Sequence, residues 1–120
     1  MRRVVFPILM CLMLVVGGAG IATAHDDLIA SNGGSQAYSP HTSSACSGTT
    51  THPRVRIKDL AADGFSVKAN YYRGTSGPYT VTETRGKDYY TWSGCGAKIT
   101  KIRSCVVKPV LPDTCTSYQT

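Results

Sequence analysis

The segment RVRIKDLAADGFSVKANYYRG, residues 54–74, carries the clearest indication of the fold class. Its first part alternates Val55 and Ile57 with basic residues, as a strand with one buried face does. The pair Asp63-Gly64 then marks a turn, and the alternation resumes after it. The expected inward face of this second run consists of Phe65, Val67, Ala69 and Tyr71. A period of two on both sides of a turn predicts paired antiparallel strands.

The alternation continues toward the C-terminus. YTVTET, residues 79–84, would turn Tyr79 and Val81 inward, and a turn at 86–88 leads into YYTW, residues 89–92. KITKIRSCVV, residues 98–107, is rich in β-branched residues and is the last clear strand. Short strands separated by frequent turn signals predict an all-β domain, a small antiparallel sandwich or barrel of about five to seven short strands.

The last of these strands has one irregularity. Ile99 and Ile102 would fall on opposite faces of a regular strand. Either a bulge intervenes or both faces are covered, and a short helix is the rival interpretation. The β-branched residues around them are poor helix formers, so we keep the strand.

The N-terminus has the three parts of a secretory signal peptide. Arg2 and Arg3 precede an apolar run, residues 4–16, and small residues follow at Ala22 and Ala24. The run is shorter than the ~20 apolar residues that a membrane span needs. We therefore predict a signal peptide over residues 1–24, secretion to the extracellular space, and no membrane insertion of the mature chain. Cleavage after Ala22 is the alternative.

The mature chain divides into two parts by composition. Residues 25–51 contain six Ser, four Thr and three Gly, so they predict a flexible segment with little apolar surface to bury. Residues 52–120 are expected to form the compact β domain.

Four cysteines follow the signal peptide. They predict two disulfides, because an even set in a short exported chain is typical of a disulfide framework. A strand between Cys95 and Cys105 would hold these two sulfurs too far apart to bond, whereas prolines after Cys105 favour a turn back. We expect Cys46–Cys95 with Cys105–Cys115, and Cys46–Cys105 with Cys95–Cys115 is the alternative. The wide spacing disfavours a zinc site.

Basic residues are concentrated in the β domain. Residues 53–108 hold eleven Lys or Arg and four acids, and alternation places Lys101 and Arg103 together on one outer face. Another outer face would carry Arg54, Arg56 and Lys58. Such rows can bind anionic polymers, although charged outer faces also simply prevent edge-to-edge pairing of sheets.

Aromatic residues supply the second candidate feature. In the pairs Tyr71-Tyr72 and Tyr89-Tyr90, alternation sends one ring inward and the other outward. Outward rings can stack on a sugar or a partner protein, or can simply stabilise the sheet as cross-strand pairs. We predict a binding or interaction protein for a glycan, a cell-wall polymer or a protein surface, without a cofactor and without nucleic acid. The expected binding residues are Tyr72, Tyr90, Trp92, Arg54, Arg56 and Lys58.

The segment YTVTETRGKDYYT, residues 79–91, resembles part of the guanyl-specific secreted ribonucleases. That resemblance implies Glu83 as general base and Arg85 as phosphate clamp of a phosphodiesterase. Those enzymes place a histidine shortly after the tyrosine pair, where this chain has Trp92. Without an acid for the leaving group the reaction is poorly supported, and it stands as the alternative function.

Cleavage after Ala24 would make His25 the amino terminus, and its amine and imidazole can chelate copper. HDDLIAS, residues 25–31, is similar to the opening of the periplasmic copper carriers, and DGFSV, residues 63–67, to their metal-binding turn. That turn should carry a histidine where Phe65 stands here, and the other histidines belong to the loose segment or its border. We expect no metal site, with copper at His25 as a further alternative.

Over residues 46–118 the chain is similar to small secreted proteins of filamentous actinobacteria. The likeness is carried by VRIKDLAADGFSVKANYYRG, CGAKITKIRSCV and PDTC. That group has no assigned activity, so the resemblance implies secretion and a β fold without a mechanism.

Overall fold

The computed structural model describes residues 27–120, which form two four-stranded antiparallel sheets. Sheet A contains β1 (Leu28–Ser31), β2 (Ser35–Ser39), β3 (Arg56–Asp59) and β6 (Tyr90–Trp92) in that spatial order. Sheet B has the order β5 (Ser76–Glu83), β4 (Ser66–Arg73), β7 (Ile99–Val107) and β8 (Thr114–Cys115). The predicted all-β class is confirmed, and of the two predicted architectures the structure has the sandwich, with eight strands where about five to seven were expected.

The core lies between the two sheets. Sheet A contributes Val55 and Ile57 and sheet B contributes Val67, Ala69 and Ile102, all of them fully buried. These are positions at which the sequence alternates apolar with polar residues, so each sheet has one apolar face that it buries against the other. The other face of each sheet is turned away from this core, although Asn70 and Cys105 on the outer face of sheet B are themselves buried.

A bulge in β7 resolves the irregularity of the last strand. Tyr72 pairs with Lys101 whereas Arg73 pairs with Ile99, so Thr100 is an extra residue on β7. The extra residue returns Ile99 to the same face as Ile102, and both are fully buried. Of the three alternatives that the sequence left open, the structure has the bulged strand.

The expectation of a flexible segment over residues 25–51 does not hold for residues 28–39, which form β1 and β2. The inward residues of β2 are small: Ser35, Ala37 and Ser39 are all fully buried. Ser39 Oγ donates to the carbonyl of Arg54 at 2.7 Å. Serine and alanine gave this stretch the composition of a loop, yet bonded hydroxyls can be buried between sheets.

Both expected disulfides are present. Cys105 and Cys115 are directly paired residues of β7 and β8, with Cα atoms 4.0 Å apart. Cys46–Cys95 joins the β2–β3 loop to the loop after β6, with Cα atoms 5.7 Å apart. Two disulfides in a domain of this size are typical of an extracellular or otherwise oxidising environment.

The tyrosines on the β5–β6 side are more exposed than alternation predicts. Tyr71 is buried as expected, but Tyr79 is 42% exposed and Tyr89 is 51% exposed. Tyr79 lies on β5, the edge strand of sheet B, and Tyr89 precedes β6, the edge strand of sheet A. A side chain on an edge strand can point inward and still be exposed, because the opposite sheet does not extend over it.

Two expectations fall outside the described residues: the signal peptide over residues 1–24 and the amino-terminal position of His25. Among residues 27–120 there is no helix of the length and apolar character that would cross a membrane.

Candidate binding surface

The outer face of sheet A brings five of the six expected binding residues together. Strand register places Tyr38, Arg56 and Trp92 in one row across β2, β3 and β6. It places Gln36, Lys58 and Tyr90 in the next row. The surface formed by Gln36, Tyr38, Arg54, Arg56, Lys58, Tyr90 and Trp92 is called the arginine–aromatic face below.

Arg54 lies over the indole of Trp92. Its guanidinium carbon is 3.7 Å from the ring centroid, a stacking distance at which the ring quadrupole attracts the cation. Within residues 27–120 the Arg54 side chain has no ion pair, and its Nε has no hydrogen-bond partner. An aromatic ring rather than an acid therefore holds the guanidinium in place, and its Nε is buried against the protein.

Arg56 occupies the centre of the same face. Its guanidinium carbon is 5.1 Å from the ring centroid of Tyr38, 5.5 Å from that of Tyr90 and 5.9 Å from that of Trp92. Its Nη2 donates to Gln36 Oε1 at 3.0 Å. Aromatic rings and a neutral amide thus position the cation without neutralising it.

The arginine–aromatic face carries positive charge that no described acid neutralises. The ion pairs of residues 27–120 join Lys68 to Asp113 and Arg85 to Glu83, all outside this face. Asp59, on the same strand as Arg56, points inward and is fully buried. An anionic group could bind here without first breaking an ion pair.

Tyr38 has its phenol at the margin of the face. Burial and the nearby Asp27 carboxylate, which accepts from the phenol at 3.4 Å, raise the pKa of Tyr38. The ring therefore stays neutral at physiological pH and presents an uncharged stacking surface.

The arginine–aromatic face is a strand surface and does not contribute to either of two cavities described here for residues 27–120. A cavity of about 370 Å³ has Phe65, Val106 and Lys108 among its lining residues. The other, of about 240 Å³, is bordered by His52 and Ile99. A strand surface outside the cavities suits an extended ligand better than a small enclosed one.

Tyr72, the sixth expected binding residue, lies on the opposite side of the sandwich. It faces outward from sheet B, where its ring packs edge-on against Tyr118 with centroids 5.5 Å apart. Lys101 Nζ is 4.3 Å from the Tyr72 centroid. Sequence alternation identified an outward ring correctly but did not identify the sheet that carries it.

Glu83 and Arg85 form a structural link between the sheets. Glu83 Oε1 accepts from Thr91 Oγ1 at 2.7 Å and from Arg85 Nη2 at 2.7 Å, and Oε2 accepts from the Arg85 backbone at 2.6 Å. The hydrogen bonds from Arg85, aided by Thr91, lower the pKa of Glu83 to about 2. The carboxylate has no exposed surface, so no substrate contacts it in this conformation.

The two described histidines belong to ordered structure. His41 and His52 pack edge to face with ring centroids 5.4 Å apart. The backbone of His41 donates to Asp27 Oδ1 at 2.9 Å, and Nδ1 of the buried His52 lies 3.3 Å from the Ser39 carbonyl. Among residues 27–120 there is no group of three or more side chains arranged to hold a metal ion.

Comparisons with known proteins give no match: no family model, no curated protein and no solved structure is significantly similar to this chain.

Sequence reasoning missed three surface residues, namely Gln36, Tyr38 and Tyr118. Gln36 and Tyr38 lie in the stretch whose composition predicts a flexible segment. The alternation SQAYS, residues 35–39, was a usable signal, but its inward residues are too small to appear hydrophobic. Tyr118 reaches sheet B through a single bridge between Gln119 and Ile102, which leaves no pattern in the sequence.

Proposed function

We propose that the protein is a secreted binding protein whose arginine–aromatic face holds an acidic polysaccharide. The observation that carries this proposal is the Arg54–Trp92 pair, a cation stacked 3.7 Å from an aromatic centroid with no described anionic partner. Aromatic faces stack on sugar rings, and guanidinium groups bind carboxylates and sulfates. A surface that alternates aromatic rings with guanidinium groups is complementary to a polysaccharide that carries both sugar rings and acidic groups.

The strand geometry favours a polymer over a small molecule. Successive outward residues on one strand are roughly 7 Å apart, and neighbouring strands are roughly 5 Å apart. Arg54, Arg56 and Lys58 therefore form a row of regularly spaced cations along β3 and the residues before it. Several weak contacts repeated along a chain give usable affinity without a deep pocket.

Secretion is supported by two independent features. The N-terminal sequence has the charge, apolar run and small residues of a signal peptide. The two disulfides are consistent with an oxidising destination. A polysaccharide ligand at the cell surface or in the medium would be accessible there.

Binding is better supported than phosphodiester hydrolysis. Both oxygens of Glu83 are already occupied by Arg85 and Thr91, and the side chain is buried. A general base must reach the proton that it removes. Arg85 donates to the carbonyl of Tyr90 as well, so its position is explained by the strand connection that it braces.

Trp92 offers a direct test, because it is the single tryptophan of the chain and lies on the proposed surface. The exported protein is titrated with dextran sulfate, dextran and polyphosphate while tryptophan emission is recorded. Dextran tests the sugar without charge, and polyphosphate tests charge without sugar. We expect the tightest saturable change with dextran sulfate and none with dextran.

Arg54→Ala/Arg56→Ala should weaken the dextran sulfate response at least tenfold. Lys87→Ala/Lys98→Ala removes the same charge from exposed positions off the face and should change the affinity less than twofold. An unchanged tryptophan emission, together with failure to co-sediment with dextran sulfate, would overturn the proposal. Equal affinity for polyphosphate would mean that the face binds polyanions in general and does not select a polysaccharide.

A further inference from the structure

The outer face of sheet B repeats the chemistry of sheet A with different residues. Tyr72, Lys101, Arg103 and Tyr118 form this second surface, called the lysine–tyrosine face below. We propose that it is a second binding site for the same acidic polysaccharide, so that one molecule bridges two polymer chains. This inference rests on the function proposed above.

The lysine–tyrosine face is organised around two rings. Lys101 Nζ lies 4.3 Å from the Tyr72 centroid and 5.2 Å from the Tyr118 centroid. The guanidinium carbon of Arg103 lies 5.0 Å from the Tyr118 centroid. Each cation is therefore held against an aromatic ring, as Arg54 is held against Trp92.

A neutral partner again positions the arginine of the face. Arg103 Nε donates to Asn70 Oδ1 at 3.0 Å, just as Arg56 donates to Gln36 on the other sheet. Within residues 27–120 neither Lys101 nor Arg103 has an ion pair. The acid of this side of sheet B, Asp113, is paired with Lys68 at 2.8 Å. Arg103 contributes to the lowered pKa of Asp113 without forming an ion pair with it. Two cations without a direct ion pair, beside two rings, are complementary to an acidic sugar chain.

The two faces cannot hold the same stretch of one polymer. Packed sheets lie about 10 Å apart and their outer faces point in opposite directions. A polymer on the arginine–aromatic face is thus separated from the lysine–tyrosine face by the whole core. Occupation of both faces brings two chains, or two distant parts of one chain, to a single molecule.

Bridging makes a prediction that single-site binding does not. A short sulfated dextran oligosaccharide, measured by titration calorimetry, should bind with two molecules per protein. Arg54→Ala/Arg56→Ala and Lys101→Ala/Arg103→Ala should each lower this ratio to one. With long dextran sulfate the wild type should cross-link the polymer and raise turbidity, and each variant should abolish this cross-linking.

The outcomes separate the two proposals. A ratio of one in the wild type, with a saturable Trp92 response, would overturn the second site and leave the proposed function intact. No binding by either face would overturn both. Tyr118→Ser, near the chain end, provides a variant with little risk of misfolding and should reduce affinity at the second site alone. Lys87→Ala/Lys98→Ala serves as the charge-matched control and should still cross-link.

Discussion

The guanidinium of Arg54 lies 3.7 Å from the ring centroid of Trp92, on the solvent side of a sheet whose other side forms the core. The two residues are 38 positions apart in the chain and meet because β3 pairs with β6. A cation placed on a ring without a described counter-ion is the chemical basis of the proposed binding surface.

Arg54→Lys should weaken dextran sulfate binding about fivefold although it keeps the charge. Lysine cannot stack as a plane on the indole and is more strongly hydrated than a guanidinium. A loss of about 1 kcal/mol is typical of a cation–π contact at an exposed site. The measurement is the titration of Trp92 emission. Equal affinity of the lysine variant would mean that charge alone accounts for the contact.

Glu83→Gln should lower the free energy of unfolding by about 2 kcal/mol at neutral pH, because it removes the charged acceptor of the bonds from Arg85 and Thr91. This loss is smaller than the pKa shift alone implies, because Arg85 is exposed and water screens its charge. The pKa of Glu83 in the folded protein is about 2, below its ordinary value of 4.5. The stabilisation from this ionised carboxylate is therefore complete above about pH 4.5 and is lost as the pH falls through about 2.

Urea unfolding between pH 2 and pH 7 checks this prediction. The wild type should lose stability toward acid pH more steeply than Glu83→Gln. Thr82→Ala, at an exposed position of the same strand, is the control and should follow the wild type. Parallel pH profiles for the wild type and Glu83→Gln would contradict the structural role of this carboxylate.

Gly34→Ala should destabilise the fold by about 1–3 kcal/mol, the usual cost of overpacking a core. A Cβ at residue 34 would lie 2.8 Å from Cγ2 of Val106, a stiff and buried side chain. Gly33→Ala is the matched control, because a Cβ there meets nothing within 4 Å. Thermal unfolding of both variants provides the measurement. A Gly34 variant as stable as the Gly33 variant would show that β7 can move away from this turn.

Cys46→Ala/Cys95→Ala should lower the free energy of unfolding by about 4 kcal/mol. The bridge closes a loop of 49 residues and so restricts the unfolded chain strongly. Denaturant unfolding of the variant and the oxidised wild type measures the difference. A loss below about 1 kcal/mol would indicate that the unfolded chain is already compact without the bridge.

Intact mass and N-terminal sequencing of the exported protein test the signal peptide. We expect the mature chain to begin at His25, after the small residues Ala22 and Ala24. A chain beginning at Thr23 would support the alternative site after Ala22. A chain that keeps residues 1–24 would contradict the prediction.

Much of sheet B was predictable because its signal is local. The inward face of β4 follows from the alternation of Val67 and Ala69 with polar residues, and the structure buries both completely. Geometry excluded one disulfide pairing, because a strand between Cys95 and Cys105 keeps their sulfurs apart, and the prolines after Cys105 favoured the pairing that is present over the remaining alternative. The spacing of Ile99 and Ile102 indicated an irregularity in β7, but it did not show that the irregularity is a bulge.

The candidate surface was predictable only in part. Alternation identified Arg56 and Trp92 as outward residues, but it could not tell that they are paired neighbours. It also grouped Tyr72 with these residues of sheet A, whereas Tyr72 lies on the outer face of sheet B, on the opposite side of the sandwich. The buried serines of β2 and the enclosed carboxylate of Glu83 gave no apolar signal at all.

Residues close in the chain and simple distance limits were enough to predict the β class, the direction of most β4 side chains and the favoured disulfide pairing. Which outward residues share a face could be read only from the folded protein. Strand order and register set that grouping, and they are properties of the whole sheet because each strand is positioned by its paired neighbours and by the core beneath it.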